Sequence, residues 1–138
     1  RKQFNGVNYN RGQIVCAILD RFCKARLFDK DTFINTVSGI KVSDPLSDLA
    51  VAAAVLSSIN DSTTSLKTAF VGELSLTGQV RGSYMIDARI REAERLGFEQ
   101  IVIPKSAMRS VPKNHDIKIR GISSVRELAG MYQKRSSK

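Results

Sequence analysis

Residues 43–59 read Ser-Asp-Pro-Leu-Ser-Asp-Leu-Ala-Val-Ala-Ala-Ala-Val-Leu-Ser-Ser-Ile. A polar turn with one proline leads directly into a run of small apolar residues, which predicts a helix over 46–59 with Ser47 at its start. Backbone N–H groups at a helix start are unpaired and carry positive partial charge. Ser47 therefore either caps this helix or acts as a nucleophile beside an oxyanion hole, and the function of the chain depends on which.

The flanking sequence predicts a mixture of helices and strands. Apolar residues at helical spacing predict a helix over 12–27, and β-branched alternation predicts a strand over 32–38. Further predictions are strands over 67–72, 79–84, 98–103 and 116–121 (the last near a sheet edge), a hairpin or bulge over 73–78 with Gly78 at its turn, a helix over 86–96 ending at Gly97, and a last helix opened by a capping box of Ser124 and Glu127. This order predicts an α+β fold, an α/β sandwich.

Length and composition fit one domain. The chain has 138 residues, of which 42% are hydrophobic and 25% charged, so we expect a single domain over 1–138 with a frayed basic tail at 135–138. No apolar run approaches the length of about 20 residues that spans a membrane, and the start of the chain does not resemble a signal peptide. Because the chain starts at Arg1 rather than Met, we expect it to be a fragment of a longer protein.

The charge balance favours a polyanionic partner. The net charge is +9, from 22 Lys and Arg against 13 Asp and Glu, which points first to nucleic acid, although surplus charge can also serve solubility alone. Six cations form the candidate DNA-binding set, here called the arginine face: Arg81, Arg89, Arg91, Arg95, Lys105 and Arg109. Glu92 and Glu94 alternate with the helical arginines, so this face is either a solvated, partly self-paired surface or a phosphate-contacting one. Few aromatic residues accompany it, which favours sequence-independent backbone contact over base stacking.

The cysteines and the histidine do not suggest a metal site. Cys16 and Cys23 would lie ~10 Å apart along one helix, too far for a disulfide, so we expect buried thiols in a reducing compartment. His115 lies in a turn-like segment where a histidine is usually solvated. With one histidine and no close cysteine pair, a structural zinc site is not expected.

Three stretches in order carry a family resemblance: 43–58, then 72–81 (Gly-Glu-Leu-Ser-Leu-Thr-Gly-Gln-Val-Arg), then 88–105, which ends Val-Ile-Pro-Lys. Together with Asn5-Gly6-Val7 and the segment 31–39, they resemble the proteolytic domain of Lon proteases. They resemble more closely the Lon-like C-terminal domain of the RadA/Sms recombination proteins. The resemblance covers residues 4 to about 130 and implies the Lon-protease-type α/β sandwich.

The resemblance also bears on Ser47. In Lon, a serine at the start of this helix is the nucleophile and a lysine near the next motif is its base. In this chain the lysine position falls on Asp87, and the next basic residue is Arg89. A guanidinium stays protonated and an ordinary carboxylate is a weak base, so neither replaces the lysine. We therefore expect a vestigial Ser47 in a non-catalytic domain.

Two alternatives to that interpretation remain. One is a Ser-Lys peptidase whose lysine is displaced, since Lys41 or Lys105, although not at the family position, could approach Ser47 in space. The other is a structural partner-docking domain whose charge serves only solubility. The chain departs from the family at 82–85, where Gly-Ser-Tyr-Met replaces a proline-rich turn.

The resemblance further implies a setting for the domain. It implies DNA binding and hexameric ring assembly around a RadA-type ATPase, in the bacterial cytoplasm or in an organelle matrix or stroma, with no membrane partner. Family members also carry an N-terminal zinc finger and a RecA-like ATPase core. This sequence has neither a Gly-Lys-Ser/Thr phosphate loop nor paired Cys-x-x-Cys motifs. We therefore expect ATP, Mg²⁺ and Zn²⁺ only in those missing domains.

Overall fold

A computed structural model describes residues 1–132 and confirms the mixed α+β class. The predicted tail at 135–138 lies outside the described residues. In chain order the elements are β1 (Lys2–Asn5), α1 (Tyr9–Cys23), β2 (Thr32–Asn35), α2 (Asp48–Asn60), β3 (Thr68–Phe70), β4 (Glu73–Leu74), β5 (Val80–Arg81), α3 (Ile86–Arg95), β6 (Gln100–Pro104), β7 (Lys118–Ile122) and α4 (Val125–Gly130).

A three-stranded parallel sheet of order β3-β6-β7 lies at the centre of the fold. Successive residues of its middle strand point to opposite faces. Val102 packs with α1, α2 and α4 on one face, whereas Ile101 and Ile103 pack with α3 and Ala107 on the other. The chain therefore has two apolar clusters separated by this sheet. Two smaller pairs flank it: β1 and β2 run parallel, and β4 and β5 form an antiparallel hairpin.

Helix α1 begins and ends earlier than the sequence predicted. It begins at Tyr9 because the Asn8 side chain caps it by accepting a hydrogen bond from the Arg11 N–H at 3.0 Å. It ends at Cys23 because Lys24 adopts a left-handed conformation with φ 53°. Leu27, predicted as its last residue, lies instead in a separate 3-10 turn.

Most of the other predicted boundaries fall close to the observed ones. Gly97 takes φ +86° after α3, and Gly78 takes φ +81° in the β4–β5 turn. Both values lie in the left-handed region that favours glycine, which confirms the predicted helix end and turn. The Ser124–Glu127 capping box is present at α4. Strand β7 lies at an edge of the sheet, as predicted.

Two features were not predicted. One is strand β1, which pairs with β2 along its whole length. The other is the 3-10 segment Lys105–Ser110, which packs against α3, β5 and β7. The strand predicted over 32–38 ends at Asn35, because Val37–Gly39 forms a 3-10 turn in which Ser38 takes φ 59°. The strand predicted over 79–84 is also shorter than expected, because Gly82 takes φ +111° directly after β5.

Candidate functional site

The Ser47 turn is a 3-10 turn, Pro45–Ser47, that leads into α2. Asp44 caps it by accepting a hydrogen bond from the Leu46 N–H at 2.9 Å. Ser47 occupies the N-cap position of α2, but its side chain accepts no capping bond. Its Oγ instead donates to the Asp44 carbonyl at 2.7 Å. The predicted capping role of the Ser47 side chain is therefore wrong, because Asp44 caps this turn.

Two backbone hydrogen bonds fix this turn against the segment before β4. The Gly72 N–H donates to the Leu46 carbonyl at 2.8 Å, and the Leu49 N–H donates to the Gly72 carbonyl at 3.0 Å. The second bond uses an N–H group that a helix start otherwise leaves unpaired. The Leu49 N–H is consequently unavailable to stabilise an oxyanion.

A cleft of about 440 Å³ opens beside Ser47, between α1, α2 and the loop that follows β2. Its charged lining residues are Arg11, Asp44, Asp48 and Glu73. No lysine lines it among residues 1–132, so neither Lys41 nor Lys105 borders it. Asp87 lies exposed on α3 and is also absent from the lining.

Arg89 connects α3 to the Ser47 turn. One of its terminal nitrogens lies 2.7 Å from Asp44 Oδ2, and its Nε donates to the Tyr84 carbonyl at 2.8 Å. Burial alone would raise the pKa of Asp44, but hydrogen bonds from Arg89 and the Leu46 N–H, together with the charge of Arg89, lower it overall. Arg89, predicted as part of the arginine face, is therefore engaged within the fold.

A second ion pair crosses the floor of the cleft. The Asp48 carboxylate is buried, with a side-chain exposure of 2%. It accepts two hydrogen bonds from Arg11, one from Nε at 2.8 Å and one from a terminal nitrogen. It also accepts the Leu74 N–H at 3.0 Å, while Arg11 donates to the Leu74 carbonyl at 2.9 Å. Asp48 raises the pKa of Arg11, mainly through this hydrogen bond. The pair joins α1, α2 and β4.

Sequence reasoning missed the Arg11–Asp48 pair, although a signal existed. Asp48 falls on the same helical stripe as Ala52, Val55 and Leu56, all of which are buried. A carboxylate on such a stripe requires a partner, because a buried unpaired charge is strongly unfavourable. The position therefore predicts a nearby cation, although not which one.

The arginine face divides into paired and unpaired cations. Arg81 lies 3.3 Å from Glu73, Arg95 pairs with Glu92, and Arg89 pairs with Asp44. No ion pair is found within the described chain for the other three, Arg91, Lys105 and Arg109, all of which are exposed. Contacts of the 3-10 segment Lys105–Ser110 with β5 and α3 bring the elements of this face together.

The segment containing His115 is held to α3. Glu94 accepts the N–H groups of Asp116, at 2.8 Å, and Ile117, at 3.1 Å, and these bonds lower the pKa of its carboxylate. His115 Nδ1 lies 2.8 Å from the Ile117 carbonyl oxygen. His115 therefore lies in a turn that local hydrogen bonds and Glu94 hold in place.

Both cysteines are free thiols, but only Cys16 is buried as expected, since Cys23 is partly exposed. Burial raises the pKa of each thiol. Within residues 1–132, no three His, Cys, Asp or Glu side chains are grouped so as to hold a metal ion. None of the helices in the same range is long and apolar enough to cross a membrane.

Comparison with known proteins decides the family. The family model described as ChlI, subunit ChlI of Mg-chelatase, matches residues 6–107, well over half of the chain. The chain belongs to the ChlI family. The match includes the Ser47 turn, the cleft beside it and α3.

Curated relatives of this ChlI-family chain carry the name DNA repair protein RadA. The RadA protein of Streptococcus pyogenes serotype M3 is 35% identical over 125 residues, covering 91% of this chain and 28% of that protein. The RadA protein of Streptococcus pneumoniae is 34% identical, covering 93% of this chain and 30% of that protein. The RadA protein of Bacillus subtilis is 31% identical, covering 92% of this chain and 28% of that protein. The chain thus spans under a third of these relatives.

Proposed function

We propose that this chain is a non-catalytic, Lon-protease-like domain of a RadA-type DNA repair protein and binds DNA through phosphate contacts without sequence preference. Two observations together carry the proposal. The relatives of this chain are named DNA repair protein RadA, and no lysine among the described residues lines the cleft beside Ser47. The DNA repair role comes from the relatives' name, and the Lon-like character comes from the ordered motifs of the sequence.

The absence of catalysis is argued from the surroundings of Ser47. A serine hydroxyl becomes a nucleophile when a neighbouring base accepts its proton. The Ser47 hydroxyl donates to a backbone carbonyl, which cannot act as that base. The nearest charged groups along the cleft are carboxylates and Arg11, whose pKa is raised rather than lowered.

We expect no covalent labelling of Ser47 by a fluorophosphonate probe. The 138-residue chain is incubated with the probe at neutral pH and its intact mass is measured, and Ser47→Ala serves as the matched control. Equal, background labelling of both proteins is the expected result. Labelling of the native chain that Ser47→Ala abolishes would establish the alternative, a Ser-Lys peptidase with a displaced lysine.

DNA binding is argued from the unpaired cations. The net charge of +9 provides long-range attraction for a polyanion. Arg91, Lys105 and Arg109 are exposed and can contact phosphates without first breaking an ion pair. Arg81, Arg89 and Arg95 would each have to leave a carboxylate, so we expect them to contribute less.

We expect the chain to bind duplex DNA with an affinity that falls steeply with salt. Each phosphate contact contributes about −0.9 to the slope of log K against log salt. Three contacts therefore predict a slope of about −2.7 or steeper. Fluorescence anisotropy of labelled duplexes of two unrelated sequences, between about 50 and 200 mM salt, measures this. The absence of binding at the lowest salt would contradict the proposal and favour a purely structural docking domain.

A charge-matched comparison locates that surface. Lys105→Gln/Arg109→Gln is expected to reduce the magnitude of the salt slope by about 2. Arg1→Gln/Lys41→Gln removes the same charge from exposed positions before β1 and after β2, and should leave the slope nearly unchanged. Equal effects of the two double variants would show that only net charge matters.

The remaining parts of the proposal concern the parent protein. We propose that it is an ATPase that assembles as a hexameric ring in the bacterial cytoplasm or in an organelle matrix or stroma. ATP, Mg²⁺ and Zn²⁺ would bind to domains other than this one, which has no phosphate-loop motif in its sequence. The mass of the full-length protein in light scattering is the direct measure of assembly.

A further inference from the structure

Two arginines lie against one aromatic ring, and a lysine follows close by, where the end of α1 meets α4. The Arg21 guanidinium lies 5.3 Å from the Phe22 ring centroid, and the Arg126 guanidinium lies 5.1 Å from the same centroid. Lys24 follows α1 directly in a left-handed conformation. We call Arg21, Phe22, Lys24 and Arg126 the Phe22 patch. Because two guanidinium groups share one ring, this patch concentrates positive charge.

These cations are exposed, and no carboxylate neutralises them within residues 1–132. The acidic residues beside them in sequence are occupied by backbone donors. Asp20 accepts the Leu27 N–H at 2.6 Å, and Glu127 accepts the Ser123 and Ser124 N–H groups at 2.9 and 3.2 Å. The Phe22 patch therefore differs from the arginine face, where half of the cations pair with a carboxylate.

The shape of the patch suits a backbone phosphate. A concave surface of about 310 Å³ lies beside Phe22, lined by Lys24, Arg126 and the Asn60 side chain among other residues. The Asn60 amide donates to the Leu56 carbonyl at 2.9 Å, so the donors that this surface offers to an anion are the cations Lys24 and Arg126. Contact with the ring restrains both guanidinium groups, and such restraint reduces the entropy lost on binding.

The Phe22 patch and the unpaired cations of the arginine face (Arg91, Lys105 and Arg109) belong to elements that pack on opposite faces of the β3-β6-β7 sheet. Arg81 is not part of this separation, because Val80 of its strand β5 packs on the same cluster as Phe22. Phe22 packs on the cluster that holds α1, α2 and α4, whereas α3 and the 3-10 segment Lys105–Ser110 pack on the other cluster. We therefore expect one straight duplex to contact only one of these two surfaces at a time.

We propose that the Phe22 patch is a second, independent binding surface for the DNA sugar–phosphate backbone, which lets one copy of the domain contact two DNA segments. This inference rests on the proposed DNA-binding function. Its chemistry is the contact of Arg21, Lys24 and Arg126 with phosphate oxygens. The competing explanation is structural, because Arg21 lies in the last turn of α1, where the helix dipole favours a cation.

Titrations of labelled duplex DNA with the 138-residue chain test the inference. The arginine face still binds DNA in Arg21→Gln/Arg126→Gln, so this variant is expected to bind a first duplex as the native chain does but to lose the second, and its stoichiometry at the lowest salt falls from two duplexes per chain to one. Arg21→Lys/Arg126→Lys keeps the charge and should still bind the second duplex. The charge-matched control Arg1→Gln/Lys41→Gln should retain the native stoichiometry.

A second experiment tests whether one copy of the domain holds two DNA duplexes at once. Two duplexes with different fluorophores should be brought together by the native chain at low salt, but not by Arg21→Gln/Arg126→Gln or by Lys105→Gln/Arg109→Gln.

The outcomes separate the two proposals. If Arg21→Gln/Arg126→Gln binds and bridges like the charge-matched control, the Phe22 patch is not a DNA surface, while the proposed function stands. The patch is likewise excluded if the glutamine and lysine variants lose binding equally together with their thermal stability, because the role of the two arginines would then be structural. If the native chain binds no DNA at the lowest salt, the proposed function fails as well.

Discussion

Asp48→Ala is expected to lower the free energy of unfolding by about 1.5–3 kcal/mol, because it removes the buried carboxylate to which Arg11 and the Leu74 N–H donate, while Arg11, 33% exposed, regains part of its hydration. The substitution removes both hydrogen bonds from Arg11 and also the acceptor of the Leu74 N–H. Three elements lose a common contact, since the pair joins α1, α2 and β4. Urea unfolding followed by far-UV circular dichroism measures the loss.

Two further variants make this result specific to Asp48. Asp48→Asn keeps an oxygen for the Leu74 N–H and should be affected less than Asp48→Ala. Asp29→Ala removes an equal charge from the exposed Arg26–Asp29 pair and should leave the urea midpoint unchanged, because exposed pairs add little to stability. If the free energy of unfolding of Asp48→Ala lies within about 1 kcal/mol of the native value, water hydrates Arg11 in place of Asp48 and the pair is not needed for stability.

Leu49→Ala is expected to cost about 3–4 kcal/mol. Leu49 has an exposure of 0% and lies in the cluster between α2 and the central sheet. A Cβ placed on Gly72 would lie 3.4 Å from its Cδ2, so the Leu49 side chain packs directly against the backbone that holds the Ser47 turn. Truncation therefore leaves a cavity walled in part by backbone, which collapses only in part.

The matched control for Leu49 has the same chemistry at an exposed site. Leu76, in the β4–β5 turn, has an exposure of 71%, and Leu76→Ala should change stability by no more than about 0.5 kcal/mol. Chemical denaturation of both variants gives the comparison. Similar losses for the two would contradict the packing attributed to Leu49.

Local sequence rules were sufficient for the end of α3, the start of α4, the β4–β5 turn and the buried strand β6. Gly78, Gly97 and the Ser124 capping box act within a few residues of themselves, so their geometry can be read from neighbours. Strand β1 was missed because its four residues carry a weak pattern and depend on pairing with β2, 30 residues away. The start of α1 at Tyr9, after the Asn8 cap, was missed because the first residues of the helix lack apolar periodicity.

The candidate site was harder to predict because charges act at long range. Asp87 was placed from the family pattern and is exposed, away from the cleft. The sequence left Ser47 as a helix cap or a nucleophile, and in the structure its side chain makes no capping bond, because Asp44 caps the turn before α2. The pairing of Arg89 with Asp44 joins residues far apart in the sequence, and nothing local distinguishes Arg89 from the unpaired Arg91 on the same helix.

The order of strands in the central sheet sets the order in which the chain can complete its fold during synthesis. Strand β6, whose five residues are all buried, lies between β3, which precedes it, and β7, which follows it along the chain. Its second edge stays open until Lys118–Ile122 has been synthesised. A nascent chain that stops after Pro104 therefore presents an unpaired apolar strand, the kind of edge that promotes aggregation. Truncations of this domain are consequently best placed beyond α4.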